Sequence, residues 1–156
     1  MKIAIYYGIL FAFAIFIWAV IESLVGLHDR YIQYHEYLSY FFAVPSVAIM
    51  FWGIRSSRNQ SDSRTGFRKA FMAGLGITLV VTMLCPLVWY VFCVFVNPTF
   101  LNNMMHYAVE TKGMDAQIAA LRFSLSNHIL VSTISTSVIG VVIAFVIAII
   151  VARRKN

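Results

Sequence analysis

Hydrophobic residues are concentrated in four long runs that are separated by polar segments. The runs cover about residues 3–26, 37–54, 70–96 and 129–152. Each run can supply close to the ~20 apolar residues that an α-helix needs to cross the hydrocarbon core of a bilayer. The pattern predicts an all-α integral membrane protein with four transmembrane helices. Because four spans leave too few residues for a separate soluble domain, we expect residues 1–156 to form a single domain.

The positive charges are distributed unequally between the two sides of these spans. If the N-terminus lies inside, the inner segments hold nine of the 12 Lys and Arg residues: Lys2, Arg55, Arg58, Arg64, Arg68, Lys69, Arg153, Arg154 and Lys155. The outer segments hold Arg30, Lys112 and Arg122. The positive-inside rule therefore predicts cytoplasmic N- and C-termini, as in a multi-pass protein of a bacterial inner membrane.

Composition agrees with a membrane location. Hydrophobic residues make up 61% of the chain, more than the roughly half expected of a soluble domain. The first run is longer than the roughly 7–15 apolar residues of a signal peptide, so we expect a retained helix. The net charge of +6 follows the predicted topology and does not indicate nucleic-acid binding.

The segment between the third and fourth runs, about residues 97–126, is amphipathic. Asn97-Pro98 is typical of a helix start, Gly113 of a break, and Asp115 of a second cap. We therefore expect two short outer helices. Apolar residues should face the bundle or the membrane surface: Phe100, Met104, Ile118, Leu121 and Leu125. Polar residues should face water: Asn102, Asn103, His106, Glu110 and Gln117. Pro45 and Pro86 predict bends within the second and third spans.

Several short motifs carry a family resemblance. They are GIR at 53–55, GFRKAFMAG at 66–74, FVNPTF at 95–100 and GMDAQIAAL at 113–121. Together they resemble the bacterial membrane-protein family catalogued as domain of unknown function 4199, with Asp115 where Ser is more usual. The resemblance implies a membrane location and this topology, and it implies no catalytic residue.

Glu22 is the single acid within a predicted span. Ionisable residues inside a membrane commonly mark pathways for ions or protons, so Glu22 is a candidate coupling site for protons or cations. Its position near the end of the helix favours the alternative, an interfacial residue that reaches water, Arg30 or His28.

All four histidines fall on the predicted outer side. With Glu110 they form a candidate polar or metal-binding cluster: His28, His35, His106, Glu110 and His128. Imidazole and carboxylate are the ligands of zinc sites, although three or four of them must converge. One-sided placement by chance is the simpler interpretation.

Small residues recur at four-residue spacing along the helices. The candidate packing positions are Gly74, Thr78, Ser132, Thr136, Gly140 and Ala144. Such stripes let helices approach closely, either within the chain or against a homo-oligomer or membrane-protein partner. The basic inner loop is a candidate site for anionic lipid headgroups: Arg55, Arg58, Arg64, Arg68 and Lys69. Topology alone is the simpler explanation of those charges.

Phosphate-loop, nucleophile-elbow and HExxH motifs are absent from the sequence. We therefore expect a small accessory or interaction protein, without a cofactor and not an enzyme. It would act through helix packing and its outer amphipathic surface. The alternative is a small oligomeric transporter with proton or cation coupling at Glu22.

Overall fold

The computed structural model describes residues 2–59 and 66–153, and within these ranges the chain folds into helices without a β-strand. The α-helices are α1 (Lys2–Leu24), α2 (His35–Leu38), α3 (Ala43–Asn59), α4 (Phe67–Val91), α5 (Phe100–Glu110), α6 (Ala116–Arg122) and α7 (Leu125–Arg153). Two 3₁₀ helices, Ile32–Tyr34 and Ser39–Phe42, flank α2, and a π-helix, Phe92–Val96, follows α4.

Four helical segments in the described chain are long and apolar enough to cross a membrane. They are Lys2–Leu24, Ile32–Ser57, Phe67–Val96 and Leu125–Ala152. The predicted fold class is therefore confirmed. The third segment is central, because α4 packs against α1, α3 and α7. Many large apolar side chains on the spans point away from the bundle, as expected where lipid is the solvent.

The second span is divided into short 3₁₀ and α-helical segments before α3, and it is longer than predicted. Pro45 was expected to bend the middle of this helix, but it lies in the first turn of α3, directly after the 3₁₀ helix Ser39–Phe42. Proline lacks the backbone N–H that would continue an α-helical ladder, so a tighter preceding turn is compatible with it. The span also continues to Asn59, beyond the predicted end at residue 54.

The end of the third span also differs from the prediction. Pro86 lies inside α4, but the last turn widens into the π-helix, closed by the Asn97 N–H that donates to Phe92 O over 2.9 Å. Asn97 was expected to cap the next helix. Instead, α5 begins at Phe100 and Thr99 occupies the N-cap position. Pro98 disfavours a helical conformation at Asn97, which frees the Asn97 side chain for other contacts.

The segment between the third and fourth spans forms the two predicted short helices, α5 and α6. Gly113 separates them with a φ of 66°, a left-handed conformation that glycine adopts readily. The Met114 N–H donates to Ala108 O over 3.0 Å, so the chain folds back on the end of α5. The Asp115 carboxylate accepts hydrogen bonds from the backbone of Gln117 and Ile118, so it caps α6 as expected.

The predicted faces of α5 and α6 are only partly right. Phe100 is buried and packs in a core cluster with Ala19, Phe92 and Cys93. Asn103 was expected to face water, but its amide donates to His28 O over 3.0 Å and also contacts Asp29. The His28 carbonyl and the Asp29 carboxylate, both in the turn between α1 and α2, thus hold the Asn103 side chain against the protein. The remaining predicted water-facing residues are exposed: Asn102, His106, Glu110 and Gln117.

Small residues bring α4 and α7 into close contact. A β-carbon on Gly74 would stand 2.6 Å from the Ala144 side chain, and one on Gly140 would stand 2.7 Å from Thr78. Further along the same interface, Cys85 Sγ lies 3.5 Å from Thr136 Oγ1, and Ser132 is half-buried. These stripes therefore serve packing within the chain.

Candidate functional site

Glu22 is buried near the end of α1, with 4% of its surface exposed. One oxygen of its carboxylate, Oε1, accepts hydrogen bonds from the Trp18 indole N–H and the Ser39 hydroxyl, each over 2.7 Å. Trp18 is one helical turn earlier on α1, and Ser39 comes from the second span. The carboxylate is therefore held inside the protein. Arg30, which was predicted from the sequence as one of the groups that Glu22 could reach, is exposed.

A helix C-cap places His28 beside this carboxylate. Gly26 has a φ of 84°, the Leu27 N–H donates to Glu22 O over 2.9 Å, and the Gly26 N–H donates to Ser23 O over 3.1 Å. These two bonds form a Schellman motif, which ends α1 and reverses the chain. His28 consequently folds back until its Nε2 lies 3.5 Å from Glu22 Oε2.

The second span contributes the other histidine of the site. His35 begins α2, and its Nδ1 lies 3.9 Å from Glu22 Oε2 and 3.4 Å from Ser39 Oγ. The ring of His35 also meets the ring of His28 edge-on, with 5.0 Å between centroids. The side chain of His35 keeps 15% of its surface exposed, whereas that of His28 keeps 1%, so His35 forms the accessible side of the cluster.

Asn97 supports the site from the end of the third span. Its amide nitrogen lies 2.9 Å from Ser23 Oγ and 3.4 Å from His28 Nδ1, and its Oδ1 lies 3.0 Å from the Thr99 hydroxyl. The π-helix before Asn97 gives the side chain this direction. Asn97 is buried, so these hydrogen bonds satisfy polar atoms that would otherwise be costly to bury.

Aromatic rings enclose the buried face of His28. Phe100 lies against it at 4.3 Å between ring centroids, and Phe92 at 5.5 Å. His128 lies beyond them, packed edge-on to Trp89 at 4.6 Å and to Phe100 at 5.5 Å. Phe100 therefore lies between the Glu22 cluster and His128, and His128 does not join it.

The predicted outer cluster is thus divided into three places. Glu22 joins His28 and His35, His128 lies among aromatic rings, and His106 and Glu110 are an exposed pair on α5, 3.9 Å apart. The structure therefore does not bring the four histidines and Glu110 together as one cluster. Helical spacing placed His106 beside Glu110, but it could not place α5 relative to α1.

His28 was predicted from the sequence as a candidate partner of Glu22, whereas Trp18, Ser39 and Asn97 were missed. A four-residue spacing between Trp18 and Glu22 was available as a signal, because residues four apart share a helical face. The contacts of Ser39 and Asn97 are long-range and carry no comparable sequence signal.

The described residues of the candidate headgroup site lie at the opposite end of the bundle, named here the basic end. Arg55, Arg68 and Lys69 are exposed there. Arg58 belongs to α3, and Arg64 lies outside the described residues. Exposed cations at the end of a membrane bundle are suitably placed for anionic headgroups.

The cluster of Glu22, His28 and His35 combines two chemical capacities. A buried carboxylate next to imidazoles can take part in proton transfer, since all three groups can bind and release protons. Each residue also offers one ligand atom, and the three atoms lie within 4.8 Å of one another. Elsewhere in the described chain no other group of three or more such residues is arranged in this way.

Comparison with known proteins assigns the family. The chain belongs to the family described as protein of unknown function (DUF4199), whose model matches residues 6–153. No curated protein matches the chain. No solved structure matches it either. The family confirms the resemblance drawn from the short motifs and leaves the function to be argued from the structure.

Proposed function

We propose that this member of the family is a small accessory protein of a bacterial inner membrane, not an enzyme. It binds another membrane protein through the surface of α6. The basic end faces the cytoplasm in this proposal, in keeping with the positive-inside rule. The α5–α6 end then faces outward, where the partner is met.

The exposed apolar side chains of α6 carry this proposal. Ala119 is fully buried against the protein, while Ile118 and Leu121 are 59% and 74% exposed. Arg122 is exposed beside them. Apolar anchors close to an arginine are typical of protein–protein contact surfaces.

The rest of the segment is fixed to the bundle, so α6 presents a pre-organised surface. Phe100 is buried in the core, Asn103 donates to His28 O, and Lys112 Nζ lies 2.7 Å from Glu36 Oε1 on the second span. A rigid surface loses little conformational entropy on binding.

The packing of the spans supports the choice of α6 over the small-residue stripes. Gly8 packs against Val80, Gly74 against Ala144 and Gly140 against Thr78, all within the chain. The stripes considered for contact with a partner or a second copy are therefore occupied. We therefore assign the contact with the partner to the exposed surface of α6, which lies outside these stripes.

Site-specific photo-crosslinking in native membranes tests the proposal. A photoreactive residue at Leu121 should give one discrete protein adduct, identified by mass spectrometry as a membrane protein that also co-purifies the wild-type chain. The Ile118→Glu substitution should abolish that adduct without changing the thermal unfolding of the purified protein. The same photoreactive residue at Val138, exposed in the middle of α7, is the matched control and should label lipid.

Three results would contradict this assignment. Adducts with lipid alone at Leu121 would make α6 a membrane-surface anchor. An adduct of twice the chain mass would make the protein a homo-oligomer. An adduct that persists in the Ile118→Glu protein would separate the contact from the apolar surface.

A second candidate function is a small oligomeric transporter that uses Glu22 for proton or cation coupling. The observation that favours it is the position of a carboxylate beside two imidazoles inside a membrane bundle. Proteoliposomes loaded with a pH-sensitive dye test it. A proton flux in the wild type that the Glu22→Gln protein loses, at unchanged melting temperature, would establish this candidate. The absence of flux in the wild type would remove it.

A further inference from the structure

We propose that Glu22, His28 and His35 bind one divalent transition-metal ion of the zinc class. The ligands are the Glu22 carboxylate, the His28 imidazole and the His35 imidazole, with water completing the coordination. This inference is independent of the α6 surface and goes beyond the proposed accessory role.

The separations between the ligand atoms are close to those of a metal site. Zinc binds imidazole nitrogen and carboxylate oxygen at about 2.0–2.2 Å, so two ligands of a tetrahedral ion lie about 3.3–3.6 Å apart. Glu22 Oε2 is 3.5 Å from His28 Nε2 and 3.9 Å from His35 Nδ1. Small rotations of the His35 side chain would bring all three atoms to an ion.

The environment of Glu22 leaves one oxygen free for a metal. Trp18 and Ser39 both donate to Oε1, while Oε2 is the oxygen that faces the two histidines. Hydrogen bonds to the second oxygen of a ligating carboxylate hold it in position and tune the metal site. The carboxylate is therefore oriented as a monodentate ligand.

His28 supplies the observation that points to a ligand. Its Nε2 is buried and has no hydrogen-bond partner, although Glu22 Oε2 lies 3.5 Å away. A buried polar atom without a partner destabilises the folded protein. An ion between Nε2 and Oε2 would satisfy the nitrogen, with the ring held by Phe92 and Phe100.

Asn97 can form hydrogen bonds with either tautomer of the neutral His28 imidazole. The amide of Asn97 contacts Ser23 Oγ, His28 Nδ1 and Thr99 Oγ1, and both hydroxyls can donate or accept. In the structure Asn97 Nδ2 faces Ser23 Oγ and His28 Nδ1. If the amide were turned over, Oδ1 would accept from Ser23 and from the Nδ1–H of His28, and Nδ2 would donate to Thr99. That orientation, which a bound metal would favour, would place the proton on Nδ1 and leave the Nε2 lone pair free for the ion.

The donor set selects the class of ion. Two imidazoles and one carboxylate suit zinc, cobalt, nickel and copper, whereas magnesium and calcium prefer oxygen ligands alone. Three protein ligands leave at least one position for water. The partly exposed side of the site, at His35, gives the ion a path of entry.

Metal titration of the purified protein tests the site. The full-length protein, in detergent and treated with a chelator, should bind one Co²⁺ per chain with the visible absorption bands of four- or five-coordinate cobalt, and Zn²⁺ should displace it. Ser39→Ala, which removes a hydrogen bond to the carboxylate, should weaken binding roughly 10–100-fold. His35→Ala removes a ligand and should weaken binding further. His106→Ala, which changes an exposed histidine outside the site, should bind as the wild type does.

The test distinguishes a metal site from a hydrogen-bonded cluster of the same residues. X-ray absorption of the zinc-loaded wild type should show two imidazoles in the coordination shell. Because this measurement uses the wild type, it does not depend on whether any variant folds. Failure of the wild type to bind either metal would overturn the proposal. Binding that His35→Ala leaves unchanged, or that His106→Ala removes, would overturn it as well. None of these results bears on crosslinking at Leu121, so the metal site and the partner surface stand or fall separately.

Discussion

Gly140 on α7 faces Thr78 on α4 at a distance that leaves no room for a side chain. A β-carbon at position 140 would stand 2.7 Å from the Thr78 methyl carbon and 2.9 Å from its hydroxyl oxygen. The Thr78 hydroxyl in turn donates to Gly74 O over 3.0 Å, which holds the side chain in place. Glycine at 140 therefore sets the separation of the two helices.

Substitution of Gly140 should separate or distort α4 and α7. We expect Gly140→Ala to lower the free energy of unfolding by about 1–3 kcal/mol, as is usual for overpacking, and Gly140→Leu to disrupt the fold. Unfolding of the purified protein in detergent measures both effects. Val142→Leu, on an exposed part of α7, should leave stability unchanged. The double variant Gly140→Ala with Thr78→Ala should recover part of the loss, and no recovery would mean that the Thr78 contact is not the cause.

The turn after α1 depends on the left-handed conformation of Gly26. A β-carbon at this position would have space, since its nearest neighbour is 3.6 Å away, but the φ of 84° is unfavourable for any L-residue. We expect Gly26→Ala to cost roughly 1–2 kcal/mol of stability, and Gly26→Asn to cost less. Thermal melting in detergent checks this. Equal stability of Gly26→Ala and wild type would show that the turn at residues 25–28 differs from the structure described.

The buried carboxylate of Glu22 should depend on the Trp18 indole. Trp18→Phe keeps most of the ring and removes the N–H that donates to Oε1, so the expected loss is about 1.5–3 kcal/mol for a hydrogen bond to a charged group. Trp52→Phe is the matched control, because Trp52 is exposed on α3. Chemical unfolding followed by circular dichroism measures both. A similar small effect of the two substitutions would contradict the role of Trp18.

The Asp115 cap should determine whether α6 is formed. Asp115→Ala removes the acceptor for the Gln117 and Ile118 amides and should cost about 0.5–2 kcal/mol locally. Hydrogen exchange of peptides covering residues 116–122 should accelerate in Asp115→Ala. Asp115→Asn retains an acceptor oxygen and should exchange nearly as the wild type does. Unchanged exchange in Asp115→Ala would mean that packing of Ala119 alone holds the helix.

The unequal charge distribution predicts the orientation of the protein in the membrane. Single cysteines replacing Arg58 and Lys155 should react with a membrane-impermeant reagent only from the cytoplasmic side, and one replacing Lys112 only from the outside. Lys155 lies outside the described residues, and Lys112 is exposed beside Glu36. The background protein carries Ala at Cys85 and Cys93, which are buried. Labelling of positions 58 and 112 from the same side would refute the proposed topology.

Features that depend on local pattern could be predicted from the sequence alone. Four apolar runs predicted the four spans, because each backbone polar group in lipid needs a helical partner. Gly113 and Asp115 predicted the division of the segment into α5 and α6, because a left-handed turn and a side-chain cap depend on a few adjacent residues.

Which side chains contact one another depends on the tertiary structure. His28 contacts Glu22 because the turn at Gly26 brings it back along α1. Ser39 and Asn97 contact the site because the ends of the second and third spans pack against α1 there, and no spacing along the chain predicts that packing. His106 and His128 lie elsewhere for the same reason. The 3₁₀ helices of the second span and the π-helix before Asn97 could not be predicted from the sequence either, since both are local changes of helix type within otherwise helical segments. Helical periodicity fixes the face of a residue on its own helix, and the packing of helices against one another determines its neighbours.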